Sequence, residues 1–251
     1  MAKLARNHHE SIQNDDNNQC PEERMRAVDD ALRAIPESQH LPEPEHSSLN
    51  WTAKEDHIRQ ALDLSKDGTA VGLDGCPNEL WKKIKLRHEA ARRANKEGFD
   101  IIKALTIVAC DIQEHDVDEQ ANFAEGWMCP LFKKNDPTDI KNYRPITVLN
   151  TDYKILTKVL ALQLIDHADI LVHEDQAGFI PKRSIFNHIR LAKAIISYAE
   201  IVEEDGAIIA LDQEKAYDRI KHDYLWKVLE SFHIPAPFIK TVKALYSHAY
   251  T

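Results

Sequence analysis

No apolar run in this chain approaches the roughly 18 residues needed to span a bilayer. The opening residues, Met1 to Glu10, lack the apolar core of a secretory signal. An intracellular setting, nucleus or cytoplasm, is therefore expected. Only four cysteines are present, Cys20, Cys76, Cys110 and Cys129, and no two form a CxxC pair. Neither a zinc knuckle nor a disulfide framework is indicated. The histidines, His8 and His9 among them, show no zinc-ligand spacing, and no internal repeat is present. Positive charge is also scarce: the formal net charge is −9 over 251 residues, which weighs against a nucleic-acid binder with an overall basic surface.

The distribution of charge says more than its sum. Residues 1–50 carry five Lys/Arg against ten Asp/Glu, whereas residues 130–160 carry Lys133, Lys134, Lys141, Arg144, Lys154 and Lys158 against three Asp. The front is acidic and polar, with the tract Asn14 to Gln19 and the breakers Pro36, Pro42 and Pro44. It is expected to be a weakly structured linker or tail holding one short helix near Glu22–Ala34. Order is expected from Trp51. Thr52 to Glu55 has the pattern of a capping box, opening a helix to about Lys66 with Ile58, Ala61, Leu62 and Ser65 on one stripe. Gly68 is placed to close it.

A turn at Gly72–Gly75 follows, then helices near Asn78–Arg93 and Phe99–His115. Gly126–Lys133 and Tyr143–Leu149 read as strands around a polar turn. Asn150 or Thr151 caps a helix of about Tyr153–Asp166, and Ser184 caps a longer one to about Glu203, with Ile185, Ile189, Ala192, Ile196 and Ala199 at helical spacing. Ala207–Leu211 reads as a buried strand, with helices near Lys215–Glu230 and Pro237–His248. The class is α+β and helix-rich.

Three places carry candidate chemistry. Four apolar residues, Ile208 to Leu211, deliver Asp212 as the last residue of the expected strand. A carboxylate there suits Mg²⁺, which takes one or two carboxylates and keeps several waters. It equally suits a helix N-cap, and local sequence alone favours the cap. Asp218 is read as structural and Tyr217 as a core aromatic with its hydroxyl at a wet edge. The stretch Lys133 to Arg144 can meet phosphates, lysine as a point charge and arginine as a planar fork; a solvated hairpin of mixed charge is the plainer explanation on composition. Gln176 to Ser184 combines a glycine, an aromatic and two cations before a helix N-terminus, which suits nucleic-acid backbone or is an ordinary capped loop.

The order of these blocks is more specific than any of them. Gly72 to Gly75 with Pro77, Pro130 to Pro137, Lys141 to Leu156, Gln176 to Phe179 with Arg183 and Ser184, and Leu211 to Asp218 together resemble the reverse transcriptase domain of LINE-type (non-LTR) retrotransposons over about residues 50–251. The resemblance implies the fingers and partial palm of a right-hand polymerase, without a thumb. Residues 51–206 would be fingers-like, and 207–251 the start of an incomplete palm whose sheet edge is left exposed.

It implies Mg²⁺ at Asp212 with help from the Gln213 carbonyl, and dNTP contacts from Arg144, Lys133, Lys134 and Lys141, with Tyr217 sensing the sugar. Gln176, Gly178, Phe179 and Arg183 would face the template. The partners implied are an RNA template, a DNA primer and dNTP, and the reaction is attack of a primer 3′-hydroxyl on the dNTP α-phosphate. Lys182 stands where the family usually has glycine, and Leu73 where it has proline. No Tyr/Phe-x-Asp-Asp segment appears in the chain, so this chain alone is expected to lack the activity. A non-catalytic nucleic-acid-binding or scaffold remnant is the alternative.

Overall fold

The computed structural model describes residues 2–13, 20–43, 49, 52–213 and 215–250. The tract at 14–19, Pro44 and Trp51 lie outside them. Within residues 1–50 the short helix expected near Glu22–Ala34 is present as helix α2 (Pro21–Arg33), and a helix that was not expected, α1 (Ala2–Gln13), precedes it. Helix α2 starts on a proline at its first turn, where the absent N–H costs nothing.

The body is built on four helices. Helix α3 (Glu55–Asp63) buries Ile58, Ala61 and Leu62, the expected stripe. It begins three residues after Thr52, and the expected capping box is not formed: Lys54 occupies the cap position with no side-chain bond. The cause is tertiary. The N–H of Ala53 donates to Gln113 Oε1 at 3.0 Å and its carbonyl accepts from Cys110 Sγ at 3.6 Å. Residues 52–54 are thereby pinned in an extended run.

Helix α4 (Asn78–Arg93) and helix α5 (Ile101–His115) follow, the latter capped by Asp100, whose side chain accepts from Lys103 N. At the other end of α5, Lys240 Nζ donates to the carbonyls of Gln113 and Glu114, the favourable placement of a cation at a helix C-terminus.

The only sheet among the described residues is the antiparallel hairpin of β1 (Gly126–Phe132) and β2 (Tyr143–Leu149), registered from Gly126 opposite Leu149 to Phe132 opposite Tyr143. Gly126 permits close packing, because a Cβ there would strike the Thr147 side chain. Helix α6 (Thr151–Asp166) buries Ile155, Leu156, Val159 and Leu160, and a short helix α7 (Ala168–Leu171) turns the chain. Helix α8 (Ile185–Val202) is capped as expected by Ser184, which accepts from Phe186 N. Helices α9 (His222–Ser231) and α10 (Ala236–Ser247) end the described chain.

One continuous apolar core joins α3, α5, α6 and α10, with Ile102, Ile112, Phe238 and Leu245 among its members. Inside it, Tyr153 donates its hydroxyl to the Leu245 carbonyl at 3.1 Å, tying α6 to α10. Burial of such side chains supplies the main driving force of a domain of this kind, roughly 1.5–3 kcal/mol each before entropy is subtracted.

The apolar stripe of α8 does not join this core. No residue of α8 is buried, and Ile189 and Ile196 face solvent. Spacing writes a helix face; it does not supply what covers it. No helix among the described residues is long and apolar enough to cross a membrane.

Candidate functional site

The β1–β2 hairpin determines where the four middle cations go. Arg144 sits opposite Leu131, and Lys133 extends the ladder by one bond, its N–H donating to the Asn142 carbonyl at 2.8 Å. The connecting loop is held by its own polar groups. Asp136 accepts from the Thr138 N–H at 2.8 Å and hydroxyl at 2.7 Å, and its carbonyl accepts from Asn142 Nδ2 at 2.9 Å. The two bonds from Thr138, the backbone one first, hold the Asp136 carboxyl below its ordinary range.

Asp139 caps the 3₁₀ turn Ile140–Asn142 by accepting from Lys141 N. The two carboxylates of the loop are thus tied to local donors. Lys133, Lys134, Lys141 and Arg144 are exposed, and none of them is ion-paired among the described residues. The hairpin presents a preorganised cationic end.

The second block is a loop shaped by one arginine. Arg183 donates to the carbonyls of His173 at 2.5 Å, Gln176 at 3.1 Å and Val172 at 3.0 Å, and also reaches Asp169. Its side chain is only 17% exposed. The guanidinium expected along the template therefore organises the loop from within. Gln176 turns its side-chain amide to the Gly178 carbonyl.

Phe179 is 92% exposed, with φ +63, and Lys182 sits at φ +66. Left-handed backbone is uncommon for bulky residues, so the glycine usual at Lys182 has a physical reason: the position demands positive φ. The loop holds an aromatic ring out in water at some conformational cost.

The third block departs from expectation. Residues 204–213 form neither strand nor helix, and Ile208, Ile209 and Leu211 are exposed, Leu211 at 92%. The strand expected over Ala207–Leu211 is not formed, because a strand needs a neighbour to bond its N–H and C=O groups and none is provided among the described residues. The helix expected from Lys215 starts only at His222; residues 215–219 are a turn closed by Arg219 N to Lys215 O at 3.1 Å. Asp212 accordingly caps no helix. Tyr217 is exposed rather than a core aromatic.

Among the described residues no group of three or more His, Cys, Asp or Glu is placed to hold a metal ion. Asp212 and Gln213 are solvent-facing. The donors present do not fit a Mg²⁺ site by themselves, and no chemical step is assigned through one.

Helix α1 lies within the stretch expected to be a weakly structured tail. Ala5, His9 and Ile12 are buried, an i, i+4, i+7 stripe that was legible as helical spacing. Helix α1 packs against the turn Ile140–Asn142, and His8 Nε2 lies 3.3 Å from Lys215 Nζ. Lys141 on the hairpin side and Lys215 after Asp212 both act electrostatically on His8. The hairpin end and the Asp212 segment are thus brought to one region, with α1 between them.

Residues 132–250 match the family of reverse transcriptases, RNA-dependent DNA polymerases. The chain belongs to that family. All the candidate residues from Lys133 to Tyr217 fall inside the matched stretch. The chain is 37% identical over 194 residues, 77% of its length, to the Transposon TX1 uncharacterized 149 kDa protein of Xenopus laevis, and it spans 14% of that relative's length. Taken with its ordered blocks, this makes the chain part of a reverse transcriptase domain of the non-LTR retrotransposon kind.

Proposed function

We propose that this chain is the fingers and the opening of the palm of an RNA-templated DNA polymerase, working in the nucleus or cytoplasm of its host as part of a mobile element. In this reading Lys133, Lys134, Lys141 and Arg144 meet the triphosphate of the incoming dNTP and neighbouring backbone phosphates. Phe179 stacks on a template base, and Tyr217 faces the sugar. Gln176, Gly178 and Arg183 fix the loop that carries Phe179. Asp212, with the Gln213 carbonyl beside it, offers a single carboxylate toward a divalent cation.

The observation that carries the reading is the hairpin end: four cations without ion-pair partners among the described residues, on a loop whose carboxylates are occupied locally. Aromatic stacking on bases contributes about 1–3 kcal/mol per base in single-strand binders, and the exposed ring of Phe179 suits it.

The test is the salt dependence of binding to a primed RNA template. Each phosphate neutralised contributes about 0.7–0.9 to the slope of log K against log salt. Replacing Lys133, Lys134 and Arg144 together by alanine is expected to lower that slope by about 2–3, while Asp212→Ala leaves it unchanged. A slope unaffected by the triple change sinks the assignment.

A second reading, a nucleic-acid-binding remnant without catalysis, is favoured by the unassembled metal ligands. Primer extension with Mg²⁺ separates the two. This chain on its own is expected not to extend a primer, and robust incorporation that is lost in Asp212→Ala would overturn that expectation.

A further inference from the structure

Helix α1 lies against the two cationic sides of the proposed nucleotide site at once. Its buried stripe is thin: Ala5, Ile12 and His9, the last only 7% exposed. Both ring nitrogens of His9 are buried without a hydrogen-bond partner. An unsatisfied buried polar group subtracts from the stability of the contact that buries it, so α1 is docked but weakly held. Its neighbours are the residues that would meet phosphate. On one side is the turn Ile140–Asn142 with Lys141 and Asp139; on the other is the turn 215–219 with Lys215 and Asp218. Lys215 Nζ donates to the imidazole of His8, an acceptor that occupies a donor otherwise available to an oxyanion. The ring of His8 lies 5.2 Å from that of His9, centroid to centroid, so the pair forms a wedge between the two turns.

We propose that α1 is a built-in competitor for polyphosphate: docked, it holds the Lys215 ammonium on His8 and lies against the turn that carries Lys141, and binding of a polyphosphate such as the dNTP triphosphate displaces it. The inference rests on the nucleotide reading of the hairpin end, and it adds a regulation of that site by the chain's own N-terminal helix. The competition is reciprocal. Whatever undocks α1 strengthens polyphosphate binding, and polyphosphate undocks α1 by the same factor.

The experiment uses the full 251-residue chain and inorganic tripolyphosphate as the probe. Affinity is read by titration calorimetry at pH 7.5 and low salt, and α1 docking by hydrogen exchange over residues 2–13. The variant Ala5→Asp with Ile12→Asp places two carboxylates on the buried stripe.

In the wild type, α1 amides are expected to be protected and to lose protection as tripolyphosphate saturates. The double variant is expected to bind roughly tenfold more tightly, within the usual range of coupling between sites, with α1 exchanging freely. Lys215→Ala in that background is expected to reverse the gain, since Lys215 is the donor that His8 occupies. Equal affinities with α1 exposed in the variant overturn the competition and leave the polyphosphate site standing. No binding by either form overturns the polyphosphate site, and the competition with it. Unprotected α1 amides in the wild type, or protected ones in the variant, overturn the docked contact itself.

Discussion

Replacing Gly72 by alanine tests why the turn Gly72–Gly75 carries glycine at both ends. The turn is closed by Gly75 N donating to Gly72 O at 3.1 Å, but the two glycines serve different needs. Gly75 has φ +65 and open space around it. Gly72 lies against the N-terminus of α6: a Cβ there would overlap Asn150 Oδ1, 2.5 Å from the Asn150 N and 2.6 Å from its Cα. The loop cannot retreat cheaply. Asp74 N donates to Asn150 Oδ1 at 3.2 Å, Thr151 Oγ1 donates to the Cys76 carbonyl at 2.5 Å, and Lys154 Nζ donates to the Ala70 carbonyl at 2.9 Å.

Either the overlap is absorbed, at about 1–3 kcal/mol for overpacking, or the loop undocks and loses three hydrogen bonds, each about 0.5–1.5 kcal/mol. The cheaper route sets the cost at about 1–3 kcal/mol, and because the overlap is with backbone atoms that cannot rotate away, Gly72→Ala is expected in the upper part of that range. Gly75→Ala meets only the left-handed backbone and is expected to cost about 1 kcal/mol. Urea unfolding gives both values, and hydrogen exchange over 70–77 shows whether the loop has lifted. Trimming the neighbour, Asn150→Ala, is expected to rescue little, because the backbone N and Cα stay in place. If Gly72→Ala costs no more than Gly75→Ala, close approach is not the reason for the first glycine.

Lys182→Gly is expected to stabilise the chain by about 1 kcal/mol, since φ +66 suits glycine; an unchanged or lowered melting temperature contradicts this. Tyr153→Phe removes the buried donor to the Leu245 carbonyl, one of the last carbonyls of α10 and without an intrahelical partner, and is expected to cost about 1–2 kcal/mol by urea titration.

Docking of α1 is expected to weaken in acid. Burial first, then Lys215, lowers both His8 and His9 from their ordinary value near 6.5, with Asp139 and Asp218 opposing. The docked form therefore binds fewer protons than the undocked one. Its stability is complete above 6.5 and is lost as pH falls below that value; exchange over 2–13 that is no faster at pH 5.5 than the intrinsic rate difference predicts refutes it.

Ile201→Lys and Ile209→Lys, at exposed positions, are each expected to change stability by less than about 0.5 kcal/mol. A loss of several kcal/mol would mean that these side chains are covered in the free chain.

What was legible in the sequence is what local chemistry writes. Asn78–Arg93 and Tyr143–Leu149 appear where their patterns put them, and Ser184 caps α8. The misses share one cause, a partner the local pattern does not contain. The Thr52 box gives way because Gln113 and Cys110, about sixty residues on, hold Ala53 extended. Arg183 reads as a free cation in sequence, yet its acceptors are the carbonyls of its own loop. The stripe of α1 was present in the spacing of Ala5, His9 and Ile12, but the acidic, polar stretch around it pointed to a tail. The cationic hairpin end was legible as composition only; that its carboxylates are tied to Thr138 and to the backbone is a matter of turn geometry.

The run from α8 through Leu211 places the two kinds of information in direct opposition. Its sequence is that of an interior: Ile185, Phe186, Ile189, Leu191, Ile195 and Ile196 on a helix, then Ile208, Ile209 and Leu211. Its side chains face water. A helix with an apolar face this wide, its Arg190, Lys193 and Glu200 on the other side, belongs with that face in a core or against another surface, and the whole run lies inside the stretch that matches the reverse transcriptase family. A linker would not keep this composition, because exposed apolar runs invite aggregation. The helix nonetheless forms, because α-helical hydrogen bonds close within the segment. The strand does not, because its bonds must close outside it. That difference accounts for α8 matching its expected bounds while Ala207–Leu211 does not match. It also places the exposed Asp212 at the point where the carboxylate's position depends on a neighbour for the strand before it.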